Sequence, residues 1–223
     1  MSMSLKKALA AAVMGAALAP MAAHAAVVTM TLDTSVNGDM PAGTLTATFA
    51  DTGAGQVTLT MANNLGAGEF DVFWLFNLNP YPSPLTVTHV SGQQAAAVLV
   101  GPTEGSNAMQ AGLFDFGFRF PIPNSADRFV TGETSVYLLS AVGLDALDFI
   151  DYSTESNSGS FGWLSAARIQ GIQPRGSGTI GTKDFDDGSG DDDDNDVPEP
   201  ASLALVGLGL AAAGLARRRR RTA

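Results

Sequence analysis

The residues able to do chemistry are few, and their spacing limits each of them. Two histidines occur, His24 and His89, and His24 falls in a leader described below. A Ser–His–Asp triad would need His89 beside an activated serine, but the chain contains no Gly-x-Ser-x-Gly elbow. His89 falls in phase with Leu85 and Val87, as a packed or rim histidine does. One histidine without cysteine does not supply the three or four ligands of a zinc site. Among the acids, Glu69 with Asp71, Asp115, and Asp148 with Asp151 are the candidates for the paired carboxylates of glycoside cleavage. Each is expected at a strand end or on a polar face, where a solvated acid is the default. Gly53-Ala54-Gly55 lacks the Lys and helix of a phosphate loop. Flat rings match sugar faces, and the candidates are Trp74, Trp163, Tyr81, Tyr137 and Tyr152. Trp74 lies in an apolar run and belongs in the core. Tyr81, in the Pro80–Pro84 loop, and Trp163, at a Gly-rich edge, are expected to be accessible and are the candidate glycan contacts. No catalytic residue, cofactor or metal site emerges.

Charge excludes further classes. The 223 residues carry 12 Lys+Arg, 22 Asp+Glu and no cysteine. Without cysteine there is no disulfide framework, thiolate metal site or cysteine nucleophile. Residues 26–197 hold five cations and 21 acids, a formal charge of −16. So acidic a body repels nucleic acid and anionic lipid, which are excluded as partners.

The ends read as addresses. Val197-Pro198-Glu199-Pro200 precedes an apolar run, Ala201–Ala216, followed by Arg217, Arg218, Arg219, Arg220 and Arg221. As a helix this run reaches about 24 Å, short of a roughly 30 Å hydrocarbon core unless arginine snorkels or the bilayer thins. Positive charge stays cytoplasmic, which leaves the preceding body on the outer side. A Pro-Glu-Pro motif, one short Gly/Ala/Leu-rich span and a terminal arginine cluster resemble the PEP-CTERM sorting signal of Gram-negative bacteria. The resemblance covers Val197–Arg221, assigns 198–223 as the sorting signal, and implies processing by an exosortase of the inner membrane, with the span 201–216 as a transient anchor. It implies a final place at the cell surface or outside the cell, and nothing directly about the cargo's activity.

At the other end, Lys6 and Lys7 are followed by the apolar run Ala8–Ala19, then Pro20 and Ala23-His24-Ala25. These are the parts of a secretory signal peptide, residues 1–25. The run is too short for a mature membrane span and lacks the polar stripe of a core helix. The export machinery and signal peptidase are the implied partners, with Ala23 and Ala25 marking a cut that leaves Ala26 as the new terminus.

Residues 184–197 read as an acidic disordered linker, because Asp184–Asp196 contains eight Asp and almost nothing apolar. Asp184-x-Asp186-x-Gly188 lacks the third early ligand and the bidentate Glu of an EF-hand. Calcium association here is expected to be weak, non-specific and multi-site.

Between these segments, residues 26–183 are patterned with period two. Val28, Met30 and Leu32 alternate with Thr29, Thr31 and Asp33. Leu45, Ala47 and Phe49 alternate with threonines, as do Val57, Leu59 and Met61. Each run reads as a half-buried strand. Phe70–Leu78 reads as a central strand, Leu85–Val90 as another, and Phe114, Phe116, Phe118 and Phe120 as an aromatic comb aimed at one core. Ser135–Val142, Asp148–Tyr152 and Trp163–Ile172 are further strand candidates, with a turn of helix at Gly143–Leu147. Eight to ten short strands separated by Gly, Asn and Pro predict a single antiparallel β-sandwich, an all-β fold. Three pieces, Trp74–Leu78, Gly132–Ser135 and Ala166–Ile172, resemble small uncharacterised cargos carrying the same sorting signal, which more often have His at the position of Arg168. That resemblance implies one compact sandwich and no activity.

The expectation is therefore an exported, non-catalytic surface or matrix protein associated with exopolysaccharide or biofilm. A carbohydrate-binding sandwich is the alternative, and a polysaccharide-active enzyme the weaker one.

Overall fold

The computed structural model describes residues 25–104, 109–123, 125–159, 161–174 and 176–187. The expected transmembrane helix lies outside the described residues, as does all of the expected signal helix but Ala25. Among the described residues no helix is long and apolar enough to cross a membrane.

The chain is all-β. The first half supplies β1 (Val27–Leu32), β2 (Thr34–Gly38), β3 (Thr44–Gly53), β4 (Gln56–Asn64), β5 (Phe70–Phe76) and β6 (Thr86–Gly92). The second supplies β7 (Ala97–Glu104), β8 (Ala111–Arg119), β9 (Phe129–Val130), β10 (Thr134–Ser140), β11 (Thr154–Gly159), β12 (Ser165–Ile172) and β13 (Gly176–Thr182). One sheet has the order β1-β3-β4-β10-β6 and the other β11-β8-β5-β12-β13-β2, with β7 beside β8 and β9 beside β5. The pairings are antiparallel.

The alternation read from sequence becomes the core. Val28, Met30, Leu32, Leu45, Ala47, Phe49, Val57, Leu59 and Met61 are fully buried on one sheet. The threonines between them stand on the wetter face, where Thr29 and Thr48 approach to 3.3 Å between hydroxyls. The opposing sheet contributes Trp74, Phe76, Phe116, Phe118, Ala167, Ile169 and Ile180. Aromatic contacts bridge the sheets, with Phe49 edge-on to Phe76 at 5.4 Å and Phe118 tilted on Tyr137 at 4.5 Å. Such pairs add about 0.5–1.5 kcal/mol each beyond area burial. The β3–β4 hairpin turns at Ala54-Gly55, where Gly55 takes φ +67°. A Cβ there would collide with the Ala141 carbonyl.

Four features depart from the sequence reading. The described residues hold thirteen strands rather than eight to ten. β2, β7, β9, β11 and β13 escape notice because they are glycine-rich, very short or without clean alternation. Asp148–Tyr152 is not a strand: a 3-10 turn occupies Ala146–Phe149. Asp145 Oδ1 accepts Leu147 N at 2.9 Å and Asp148 Oδ2 accepts Asp145 N at 3.1 Å, a reciprocal cap that fixes the turn. Phe149 then stacks on Phe49 at 4.0 Å. The aromatic comb also divides. Phe116, Phe118 and Phe120 join the inter-sheet core, whereas Phe114 packs in a second cluster with Leu75, Met109, Ala111, Trp163 and Ala166. Leu75 alternates with Trp74 and Phe76, so this cluster covers the outer face of the second sheet. Phe114 leaves the comb just beyond the last β5 pair, Phe76 with Phe116, where β7 slips in register and faces Phe114 with Glu104. Last, ordered pairing runs past residue 183. Asp186 bridges to Thr29 on the free side of β1, so the first residues assigned to the linker belong to the sandwich.

Candidate functional site

The sorting residues Pro198, Glu199, Pro200 and Arg217–Arg221 lie outside the described residues, as does Ala23. The structure describes how the sandwich presents the two segments that lead to them. Both converge on β1. At its start, Ala26 O accepts Asp51 N at 3.0 Å, and Ala26 N donates to Asp51 Oδ2 at 3.0 Å. Along its outer edge, Thr29 N donates to Asp186 O at 2.7 Å and Asp186 N returns a bond to Thr29 O at 2.8 Å. Thr182 Oγ1 shapes the approach, donating to Asp184 O at 2.9 Å and accepting Asp184 N at 3.1 Å. A cleft of about 270 Å³ lies between this segment and β1, with Asp33, Asp184 and Asp186 on its walls. Among the described residues no group of three His, Cys, Asp or Glu is placed to hold a metal ion.

Four of the five carboxylates suspected of catalysis, Glu69, Asp71, Asp115 and Asp148, are engaged by the backbone. Glu69, expected to be solvated, is 5 % exposed; its oxygens accept Ala42 N at 3.0 and 3.1 Å and Gly66 N at 2.7 Å. Asp71 departs further and is fully buried. β5 gains one residue against β12, Phe73 facing Arg168 and Asp71 facing Ile169. This bulge at Val72 turns Asp71 inward beside Ile169 and Phe129, since paired residues share a face. Its Oδ1 accepts Phe73 N at 3.1 Å, while Oδ2 is buried with no partner among the described residues. Desolvation pushes its pKa up to about 8, against the lowering effect of the Phe73 and Val72 amides. Asp71 is thus a protonated strut of the core near neutrality. Asp115 accepts Leu78 N at 2.9 Å, and burial raises its pKa, with a smaller contribution from the charge on Asp151. Asp148 caps the 3-10 turn; burial raises it first, and the charges on Asp145 and Asp51 add to this.

His89 behaves as expected of a packed residue. Its Nε2 is buried without a partner among the described residues, and its ring meets Tyr137 edge-on at 5.2 Å. Arg168 received no role from sequence beyond the resemblance, yet it ties three strands together. It donates to Ser177 Oγ at 2.7 Å, and to Asn37 Oδ1 and Thr179 Oγ1 at 3.4 Å. Only the pairing of β2, β12 and β13 reveals this.

The candidate aromatic platform does not assemble. Trp163 is not accessible: it is 6 % exposed within the outer-face cluster, and Lys183 Nζ lies over its ring at 4.7 Å. Tyr81 is half-buried and packs against the inter-sheet core instead. The two rings therefore belong to different clusters. Near the Tyr81 loop, a cleft of about 730 Å³ opens between Pro82–Pro84, Gln56 and Ser140–Gly143. Among the described residues no ionisable side chain lines it.

A family model describing the PEP-CTERM protein-sorting motif matches residues 196–221. No curated protein and no solved structure matches the chain. The match includes Pro198, Glu199, Pro200 and all five arginines. The chain accordingly carries the sorting signal of an exosortase substrate, a signal for export and surface or extracellular delivery.

Proposed function

We propose that this chain is a non-catalytic β-sandwich delivered to the cell surface or extracellular matrix of a Gram-negative bacterium, where it works alongside exopolysaccharide. The observation that carries the reading is the sorting motif at 196–221, joined by an acid-rich segment to an antiparallel all-β domain. In this reading residues 1–25 direct export and are removed, and the span 201–216 anchors the chain transiently in the inner membrane. Exosortase then cuts near Pro198–Pro200. The arginines stay cytoplasmic and leave with the discarded tail.

A non-catalytic role is supported by the way the acids are used. Glu69, Asp71, Asp115 and Asp148 each accept main-chain N–H groups that hold a loop, a bulge or a turn. A carboxylate tied into the fold in this way is a poor proton shuttle, because using it would weaken the main-chain bond that holds its loop, bulge or turn. The outward threonine rows and the −16 body suit a hydrated, anion-repelling surface protein.

Cell fractionation tests the proposal. The protein should reach the surface or matrix fraction in a strain with exosortase and a polysaccharide locus. It should stay in the inner membrane when exosortase is deleted, and pass to the medium when the polysaccharide is absent. Distribution indifferent to both deletions would overturn the reading.

A further inference from the structure

We infer that cleavage between Ala25 and Ala26 creates an α-ammonium that Asp51 captures, so that processing itself fastens the first strand of the mature domain. The inference rests on the signal-peptide reading above and adds the residue that receives the new terminus. Ala26 N donates to Asp51 Oδ2 at 3.0 Å, and Asp51 N donates to Ala26 O at 3.0 Å. This pair extends the β1–β3 ladder one step beyond Val27 and Ala50. The other carboxylate oxygen, Oδ1, accepts Ala146 N at 2.8 Å, so the 3-10 turn holds the carboxylate toward Ala26. The fold also marks the boundary between the two alanines. Ala26 packs partly buried against the main core, whereas Ala25 is exposed at a cleft of about 510 Å³ shared with Asp51, Thr52, Leu144 and Asp145.

Charge explains why the uncut chain leaves this site incomplete. The titratable groups around it are Asp51 from β3 and Asp145 and Asp148 from the turn, and Asp51 and Asp145 both act on Asp148 as like charges. A peptide N–H satisfies one acceptor in this cluster and none of its charge. An α-ammonium at the same position brings a full positive charge and additional N–H donors, and charge-assisted bonds are about twice as strong as neutral ones. An α-amine normally titrates at about 7.7–8.0, and a carboxylate in contact raises that value. The stability it contributes is complete below about pH 8 and is lost as pH rises through the raised value.

The test uses the full-length chain, exported and processed in a Gram-negative host, as wild type and as Asp51→Asn. Asn keeps an acceptor for Ala146 N while removing the charge. Mass spectrometry first reads the N-terminus, and Ala26 is the expected start. Any other start overturns the cleavage reading itself, whatever Asp51 does. With Ala26 in place, acylation of the α-amine by an amine-reactive ester is followed against pH. Lys183, the one lysine left in the processed chain, serves as internal reference. The wild-type amine should half-titrate about one unit higher than in Asp51→Asn, and at pH 7 it should react about tenfold more slowly. Should Asp51→Asn fail to accumulate, folded and urea-unfolded wild type give the same comparison. Equal half-titration in either comparison overturns the capture and leaves the cleavage reading standing.

Discussion

Thr29 and Asp186 exchange two main-chain hydrogen bonds, at 2.7 and 2.8 Å, on the side of β1 that faces away from β3. The residue where the acidic segment leaves the domain thereby covers the middle of an edge strand. Open edges template unwanted pairing, and charge or an added strand blocks it. Replacing Asp186 by proline removes the donor to Thr29 O. In Asp186→Pro, hydrogen exchange at the Thr29 amide should accelerate several-fold, with exchange at Ala47 unchanged. Equal Thr29 exchange in the two proteins would show that the bridge is not held in solution.

The divided aromatic comb predicts unequal costs. Phe116 contacts Phe76 at 5.4 Å and Phe149 at 5.8 Å in the centre of the core. Phe116→Ala should cost about 3–5 kcal/mol by cavity formation. Phe114 sits in the thinner outer cluster, which can relax more, so Phe114→Ala should cost less. Denaturant unfolding of both variants decides it, and the reverse order would contradict the placement of Phe114.

Asp71 predicts an unusual pH profile. Its pKa is raised from an ordinary carboxylate value to about 8. The folded state therefore holds a proton that the unfolded chain releases near pH 4. Its favourable contribution is complete below about pH 4 and declines as pH rises toward 8, after which the slope flattens. Burial raises Asp115 and Asp148 as well, so they act in the same direction. Asp71→Asn should flatten the decline between pH 5 and 8 in thermal melts, with a gain on the order of a few kcal/mol at pH 8. A profile unchanged by the substitution would mean that Asp71 is ionised in the fold.

The acidic segment predicts a negative result with calcium. No preformed ligand group of three occurs among the described residues. Titration by calorimetry should give weak, multi-site heats that fade with added salt. Saturable one-site binding below about 10 µM would require a formed site.

Much of this was legible because alternation and burial coincide wherever one sheet face is wet. Val28, Leu45 and Val57 announced their strands, since each apolar residue is followed by a polar one. Asp71 was misread because a single bulged residue reverses the parity of every position before it, and local sequence does not record that slip. Trp163 was misread for a related reason. Its glycine-rich flanks suggested an open edge, but the outer face of the second sheet carries its own apolar cover and Lys183 closes over the ring. Arg168 was silent because its partners lie on strands brought beside it only by the sheet order. The sorting signal is different in kind. It is a linear code that a membrane enzyme reads, so residues 196–221 declare it without any fold.

The most direct measurement is the intact mass of the surface-delivered protein from hosts with and without exosortase. Prolines disfavour helix in the residues before them, so Pro198-Glu199-Pro200 is expected to be readable by a protease on the outer side of the inner membrane. With exosortase, the mature chain should begin at Ala26 and end near Pro198–Pro200. Without it, the full C-terminus should persist in the membrane. Surface or secreted protein that keeps Arg217–Arg221 in the presence of exosortase would contradict the account and establish a permanent tail anchor.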